Sequence, residues 1–301
     1  MTQSDRTMEN AIVDREALLE NERRLFNKDY DLHFIKGKTK PKTIGEPYLL
    51  QNPLPRAGIL LVHGLMAAPE EVREWAEFLY SKGYTVYAPR LAGHGTSAED
   101  LSTRHYGDWM KSVDRGHAIL KTCCEKIVIG GFSTGAGLAL LQALQKPGHF
   151  DAVISISAPL RFKGASSNLV EIVHAWNRIW TKLGIRLWLK EYASNHPDNP
   201  HINYDECPIQ SIVEVRALMK EVYRALPSLG IPSLIMQGTK DPKVDGQSGK
   251  RLFCRIRQTH ACYRDIDFHL HGVVRGFVAL GVFAEVEKFL DTIFPSPHSL
   301  L

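Results

Sequence analysis

Apolar residues recur in two rhythms along the chain. Short unbroken runs occur at Gly58 to Val62, Tyr84 to Tyr87, Ile127 to Ile129, Ala152 to Ser157, Ile231 to Gln237 and Ala261 to Asp267, and they predict strands, most of them buried on both faces. Between them lie helix-like stretches, Glu70 to Lys82, about Tyr106 to Thr122, Ala136 to Leu141 and a closing helix from Val273 to Phe289. Strands that alternate with helices predict an α/β fold, a mostly parallel central sheet flanked by helices and joined by right-handed crossovers.

Two regions break the alternation. From Met8 to Lys28 the pattern is an amphipathic helix, with Ile12, Leu18, Leu19, Leu25 and Phe26 among charges, and residues 1–45 read as a helical and linker extension. Lys36, Lys38, Lys40 and Lys42 then alternate as a solvated linker or edge strand. From 159 to 230 the strands stop and helical stripes take over, Leu169, Val173, Trp176, Trp180 and Leu183, then Ile212, Val215, Met219, Val222 and Leu226. These predict a helical cap inserted into a core of residues 46–158 and 231–301, positioned to act as a lid. Arg178, Lys182, Arg186 and Lys190 are read as a solvated face, with weak contact to a lipid interface as the sharper alternative.

Composition narrows the function classes. The 301 residues are 44% hydrophobic and 23% charged, an ordinary globular balance, and a net charge of +4 with interleaved signs carries no nucleic-acid footprint. No run is long and apolar enough for a membrane span, and the polar start lacks the apolar core of a signal peptide, so a cytoplasmic protein is expected. Five cysteines without C-x-x-C spacing are expected to be reduced thiols rather than a metal site.

The chemistry gathers at Gly131-Phe132-Ser133-Thr134-Gly135, which fits the G-x-S-x-G pattern between a strand and a helix. Such a turn lifts a serine hydroxyl clear of the sheet and aims the helix's unpaired N–H groups at developing negative charge, so the N–H of Thr134 is one expected oxyanion donor. The second is the N–H of Leu65, in the loop after the strand Gly58 to Val62. A serine needs a base, and the base an acid to orient it. Asp241 follows the strand Ile231 to Gln237 and is the expected acid, with Asp245 a distant second. For the base, His271 is preferred and His269 stays open; His63 and His94 are read as shaping their loops.

The ordered set His63-Gly64-Leu65-Met66, Pro89 to Thr96, Asp108-Trp109, Gly131 to Gly135, Gly238 to Pro242 and His271-Gly272 resembles the α/β-hydrolase superfamily over about Ala57 to Phe294. It looks most like its bacterial carboxylesterases and monoacylglycerol lipases. The resemblance implies a triad of Ser133, Asp241 and His271, oxyanion donors at Leu65 and Thr134, and no metal or organic cofactor. It implies hydrolysis of short- to medium-chain acyl esters or monoacylglycerols, a small substrate with an apolar acyl group. The same triad would serve a thioesterase or an amidase, and a non-catalytic binding scaffold is the reading from outside enzymes. The first fifty residues and the long insertion depart from the compact family pattern.

Overall fold

A computed structural model describes residues 3–163 and 191–295. The first stripe of the insertion, Leu169 to Leu183, and the row Arg178, Lys182, Arg186 and Lys190 lie outside the described residues. Seven strands form one sheet: β1 (Tyr48–Leu50), β2 (Gly58–Val62), β3 (Thr85–Ala88), β4 (Ile127–Phe132), β5 (Ala152–Ile156), and, beyond the insertion, the strands Ser233–Gly238 and Ala261–Ile266. A separate antiparallel pair, β6 (Tyr192–Ser194) and β7 (Glu206–Pro208), lies inside the insertion, so the two later sheet strands are β8 and β9. The sheet order is β1-β3-β2-β4-β5-β8-β9, and every pairing is parallel except that of β1 with β3.

Odd and even positions of the central strands feed two cores, because successive side chains leave a strand on opposite faces. Leu60, Val62, Ile129, Val153 and Ile235 meet Trp109, Val113, Leu138, Leu218 and Val222 on one face. Ile59, Leu61, Val128, Ile154 and Leu234 meet Trp75, Leu79, Phe283, Val286 and Leu290 on the other. The covering helices are α3 (Arg73–Ser81), α5 (Tyr106–Lys121), α6 (Thr134–Gln145), α7 (Ile209–Ala225) and α9 (Ala279–Ile293); α4 (Ala98–Ser102) and α8 (Ser248–Phe253) are short connectors. Coverage on both faces is why the apolar runs are unbroken.

Several boundaries differ from the sequence pattern. Pro69–Val72 is a 3₁₀ turn, and α3 begins only at Arg73, because the chain turns at Ala68-Pro69 to bring Glu71 inward. The closing helix starts at Ala279 rather than Val273: Val273 and Val274 are buried in a turn that follows His271. The alternating lysines form no strand. They lie in the turns and loop around Gly37 and in the single-turn α2 (Lys42–Gly45), and three of them face an acid: Lys38 with Glu99 and Glu206, Lys40 with Asp205 and Lys42 with Asp31. The insertion is not wholly helical, since β6 and β7 pair within it; no apolar run announces strands of three residues. Its second stripe does form α7, whose Val215, Met219 and Val222 are buried against α6, where a Cβ on Gly137 would lie 2.6 Å from the Met219 sulfur.

The N-terminal helix α1 (Gln3–His33) extends past the predicted limits and is knitted into the body. Leu18 and Leu19 pack on the core, Glu22 accepts from Arg115 at 2.5 Å, and Phe26 is 1% exposed beneath Gly45. Among the described residues no helix is long and apolar enough to cross a membrane. If α1 belongs to the cooperative fold, Phe26→Ala is expected to cost about 3–5 kcal/mol, the range for truncating a buried phenylalanine. Urea denaturation of wild type and variant reads this directly; an unchanged midpoint would mean α1 is a detachable appendage.

Candidate active site

Parallel pairing brings the carboxyl ends of β2, β4, β5, β8 and β9 to one edge of the sheet. Ser133 stands there between β4 and α6, at φ 54° and ψ −121°, in the left-handed region that L-residues avoid. Its N–H donates to the Ile156 carbonyl at 2.8 Å, and its own carbonyl accepts from Ala136 N–H at 3.0 Å, so the turn is held from both sides. The two glycines of the motif are required by space. A Cβ on Gly131 would lie 2.1 Å from the Gly135 oxygen, and one on Gly135 would lie 2.1 Å from the Val62 oxygen.

The loop after β9 carries His271 to this turn. Its Nε2 lies 2.9 Å from Ser133 Oγ and its Nδ1 lies 2.6 Å from Asp241 Oδ2, with the Phe132 ring packed on the imidazole at 4.9 Å between centroids. Asp241 is fully buried, and its other oxygen accepts the backbone N–H groups of Lys243 and Val244 at 2.8 and 2.9 Å. Burial pushes its carboxyl up, but the His271 ring and the two N–H donors outweigh burial and hold it below the ordinary carboxylate range. It therefore remains an anion that accepts from His271 Nδ1–H, which leaves Nε2 free to accept from the serine hydroxyl.

The rejected or open candidates lie elsewhere. His269 is exposed, its ring against Phe268, and Asp245 closes a turn by accepting from Gln247 N–H at 3.1 Å. His63 is completely buried: Leu91 N–H donates to its Nε2 at 3.3 Å, so its Nδ1–H donates to the Gly64 carbonyl at 2.9 Å, and burial lowers its pKa to about 4. A neutral ring with both nitrogens engaged braces the loop. His94 is likewise buried and neutral, its carbonyl accepting from Arg90 at 3.2 Å.

Leu65 and Thr134 line the same cavity as Ser133 and His271. Thr134 is the first residue of α6, so its N–H has no carbonyl one turn earlier to bond. Gly64, next to Leu65, lies against the serine: a Cβ on it would be 3.3 Å from Ser133 Cβ. The cavity has a volume of about 470 Å³ and two kinds of wall. Leu65, Met66, Phe132, Phe162, Ile209, Ile212 and Val244 are apolar, whereas Asn195, Asp198, Asn199, Asn203, Lys163 and Lys243 are polar. The loop between β6 and β7 supplies four of these polar residues. It is tied to the neighbours of His271 and Leu65 at two points: Gly272 N–H donates to Asp198 Oδ2 at 2.8 Å, and Tyr204 N–H donates to the Met66 carbonyl at 3.0 Å.

Sequence reasoning missed the polar wall, and it missed Glu71. That carboxylate lines the cavity, is 5% exposed, and accepts from Gly64 N–H at 2.7 Å. In the sequence Glu70-Glu71 reads as the solvated start of a helix, and no local signal tells the inward glutamate from its outward neighbour. Among the described residues no group of three His, Cys, Asp or Glu could hold a metal ion.

The family model Hydrolase_4, described as serine aminopeptidase, S33, matches residues 53–275, well over half of the chain. A thermostable monoacylglycerol lipase of Bacillus sp. (strain H-257) is 29% identical over 217 residues, 71% of this chain and 81% of that protein. A carboxylesterase of Bacillus subtilis (strain 168) is 22% identical over 205 residues, 66% of this chain and 77% of that one. Among solved structures, the monoacylglycerol lipase of Paleococcus ferrophilus matches with a TM-score of 0.68 at 18% identity, over 82% of this chain and 98% of that one. One from a report on two metagenome-derived lipolytic enzymes matches at 0.72 and 21% identity, over 83% and 98%. At those identities the structural likeness speaks for the α/β-hydrolase fold, and the family match speaks for the chemistry. The chain belongs to the serine aminopeptidase S33 family of α/β-hydrolases, and it is a serine hydrolase whose relatives are named lipases and esterases.

Proposed function

We propose that this serine hydrolase cleaves carboxylic esters of short to medium acyl chains, monoacylglycerols among them, through an acyl-enzyme on Ser133. The observation that carries the reading is the hydrogen-bonded row Asp241–His271–Ser133 at 2.6 and 2.9 Å, opening into a cavity of mixed polarity. His271 Nε2 takes the hydroxyl proton as Ser133 Oγ attacks the ester carbonyl, and Asp241 stabilises the imidazolium that results. The N–H groups of Leu65 and Thr134 hold the oxyanion; loss of one such donor costs about 3 kcal/mol in comparable enzymes. The proton on His271 then leaves with the alcohol, and water, activated by the same ring, releases the acid.

The walls of the cavity favour an amphiphilic substrate. An acyl chain suits Leu65, Met66, Phe162 and Ile212, and a hydroxylated alcohol suits Asn195, Asn199 and Asn203. The relatives named as monoacylglycerol lipases support the same class. Residues 159–230 act in this reading as the cap that supplies the polar wall. The family's description as serine aminopeptidase favours a second reading, amide hydrolysis by the same residues.

Hydrolysis of p-nitrophenyl esters from acetate to palmitate, beside a p-nitroanilide, separates the two. Ester turnover with an optimum at short or medium chains, lost by at least about 10⁴-fold in Ser133→Ala, is expected. Turnover of the anilide alone would move the assignment to amides, and turnover unaffected in Ser133→Ala would remove the serine from the mechanism. A paired comparison assigns the base: His271→Ala is expected to lower kcat by at least about 10³-fold and His269→Ala to leave it within about threefold. Reversed effects would assign the base to His269.

A further inference from the structure

We propose that Glu71 is a positioning residue for acyl transfer, whose carboxyl fixes the oxyanion loop His63–Met66 against Ser133 and couples that loop to the charge on His271. This rests on the reading of Ser133 and His271 given above. The contact is direct: Glu71 Oε2 accepts the Gly64 N–H at 2.7 Å, both partners are buried, and the next residue in the loop is Leu65. Gly64 is pressed between the two groups it must align, since a Cβ there would lie 3.1 Å from Glu71 Oε2 and 3.3 Å from Ser133 Cβ. The 3₁₀ turn Pro69–Val72 serves this placement, with Glu71 N–H donating to the Ala68 carbonyl at 2.9 Å.

The loop needs such an anchor because Met66 takes φ 62°, a conformation that packing must hold. His63 braces the loop's start, Tyr204 donates its N–H to the Met66 carbonyl at its end, and Glu71 holds the middle. A carboxyl is a costly choice for a purely structural acceptor in a buried cavity, since an amide would serve without a charge to desolvate.

Its surroundings explain what the charge can do. Burial pushes the Glu71 carboxyl up to about 7, opposed by the Gly64 N–H, then by His271, Lys243 and Arg275, the charged groups that face it. Glu70 in the same turn and Glu74 at the start of α3 are turned to Arg275, and His63 in the loop stays neutral. Glu71 therefore changes charge in the range where a catalytic imidazole works. Its anion attracts a protonated His271; its neutral form relieves the site of a negative charge near the developing oxyanion.

The rate of inactivation by a fluorophosphonate, measured against pH, tests this without knowledge of the natural substrate. Glu71→Gln keeps the acceptor and removes the charge: the acidic limb should move to lower pH by about half a unit or more, with the plateau within about threefold of wild type. Glu71→Leu removes the acceptor too and should lower the plateau by about 30-fold or more, a loss that the Gln variant does not share. A Gln profile superimposable on wild type overturns the proposal, and so does a folded Leu variant that reacts at the wild-type rate. If the Leu variant does not fold, the Gln profile decides. A wild-type protein that does not react overturns the reading of Ser133, and this inference with it; a reactive wild type with an unshifted Gln variant overturns this inference alone.

Discussion

Everything at the site depends on how closely α6 can approach β2 and β4. The missing Cβ atoms of Gly131 and Gly135 leave room for backbone oxygens at distances no side chain would tolerate, and Ser133 accepts an unfavourable φ as the cost of the turn. Strain of this kind, about 1–3 kcal/mol, persists only where the surroundings over-determine it. Here they do: β4 is flanked by β2 and β5, Ser133 N–H is bonded to Ile156, and α6 is clamped from outside by α7. The stability of two cores on either side of the sheet is what keeps one serine in a poor conformation.

Around that turn, burial is used in three different ways. Asp241 loses water but gains an imidazole and two backbone donors, so it remains charged. His63 loses water and gains only neutral partners, so it stays uncharged and serves as a strut. Glu71 has a single backbone donor, and burial leaves its charge undecided near neutrality. The same desolvation thus yields an anion, a neutral strut and a titrating group, according to the number and charge of the hydrogen-bond partners.

How much of this the sequence made legible follows from the range of each interaction. The strand–turn–helix at Ser133 is encoded within five residues, because the two glycines and the serine satisfy a purely local steric problem. Strand order and the rule that sites gather at carboxyl ends extend that reading to Asp241 and His271, with His269 separated only by the three-dimensional path of the loop. The helical reading of the insertion failed at β6 and β7 because strands of three residues carry too little periodicity, and β1 is hidden for the same reason. Glu71 and the polar wall were illegible in principle: their meaning lies in contacts with residues remote in the chain, such as Gly272 with Asp198.

The same non-local logic applies to the N-terminal helix, which lies outside the family match yet reaches the loops behind the site. Asp29 accepts from Arg90 at 2.6 Å, Arg90 is 5% exposed and donates to the His94 carbonyl, and the His94 ring packs at 5.0 Å from the ring of His63. Removing Asp29 would leave a buried guanidinium without its counter-ion, which costs more than an exposed ion pair contributes. A helix outside the family match is therefore part of the support for the loop that carries Leu65. Its effect on the active-site loops, if the chain is cut after it, would travel through Arg90 and the edge-to-face pair His94 and His63 rather than through any contact with the substrate.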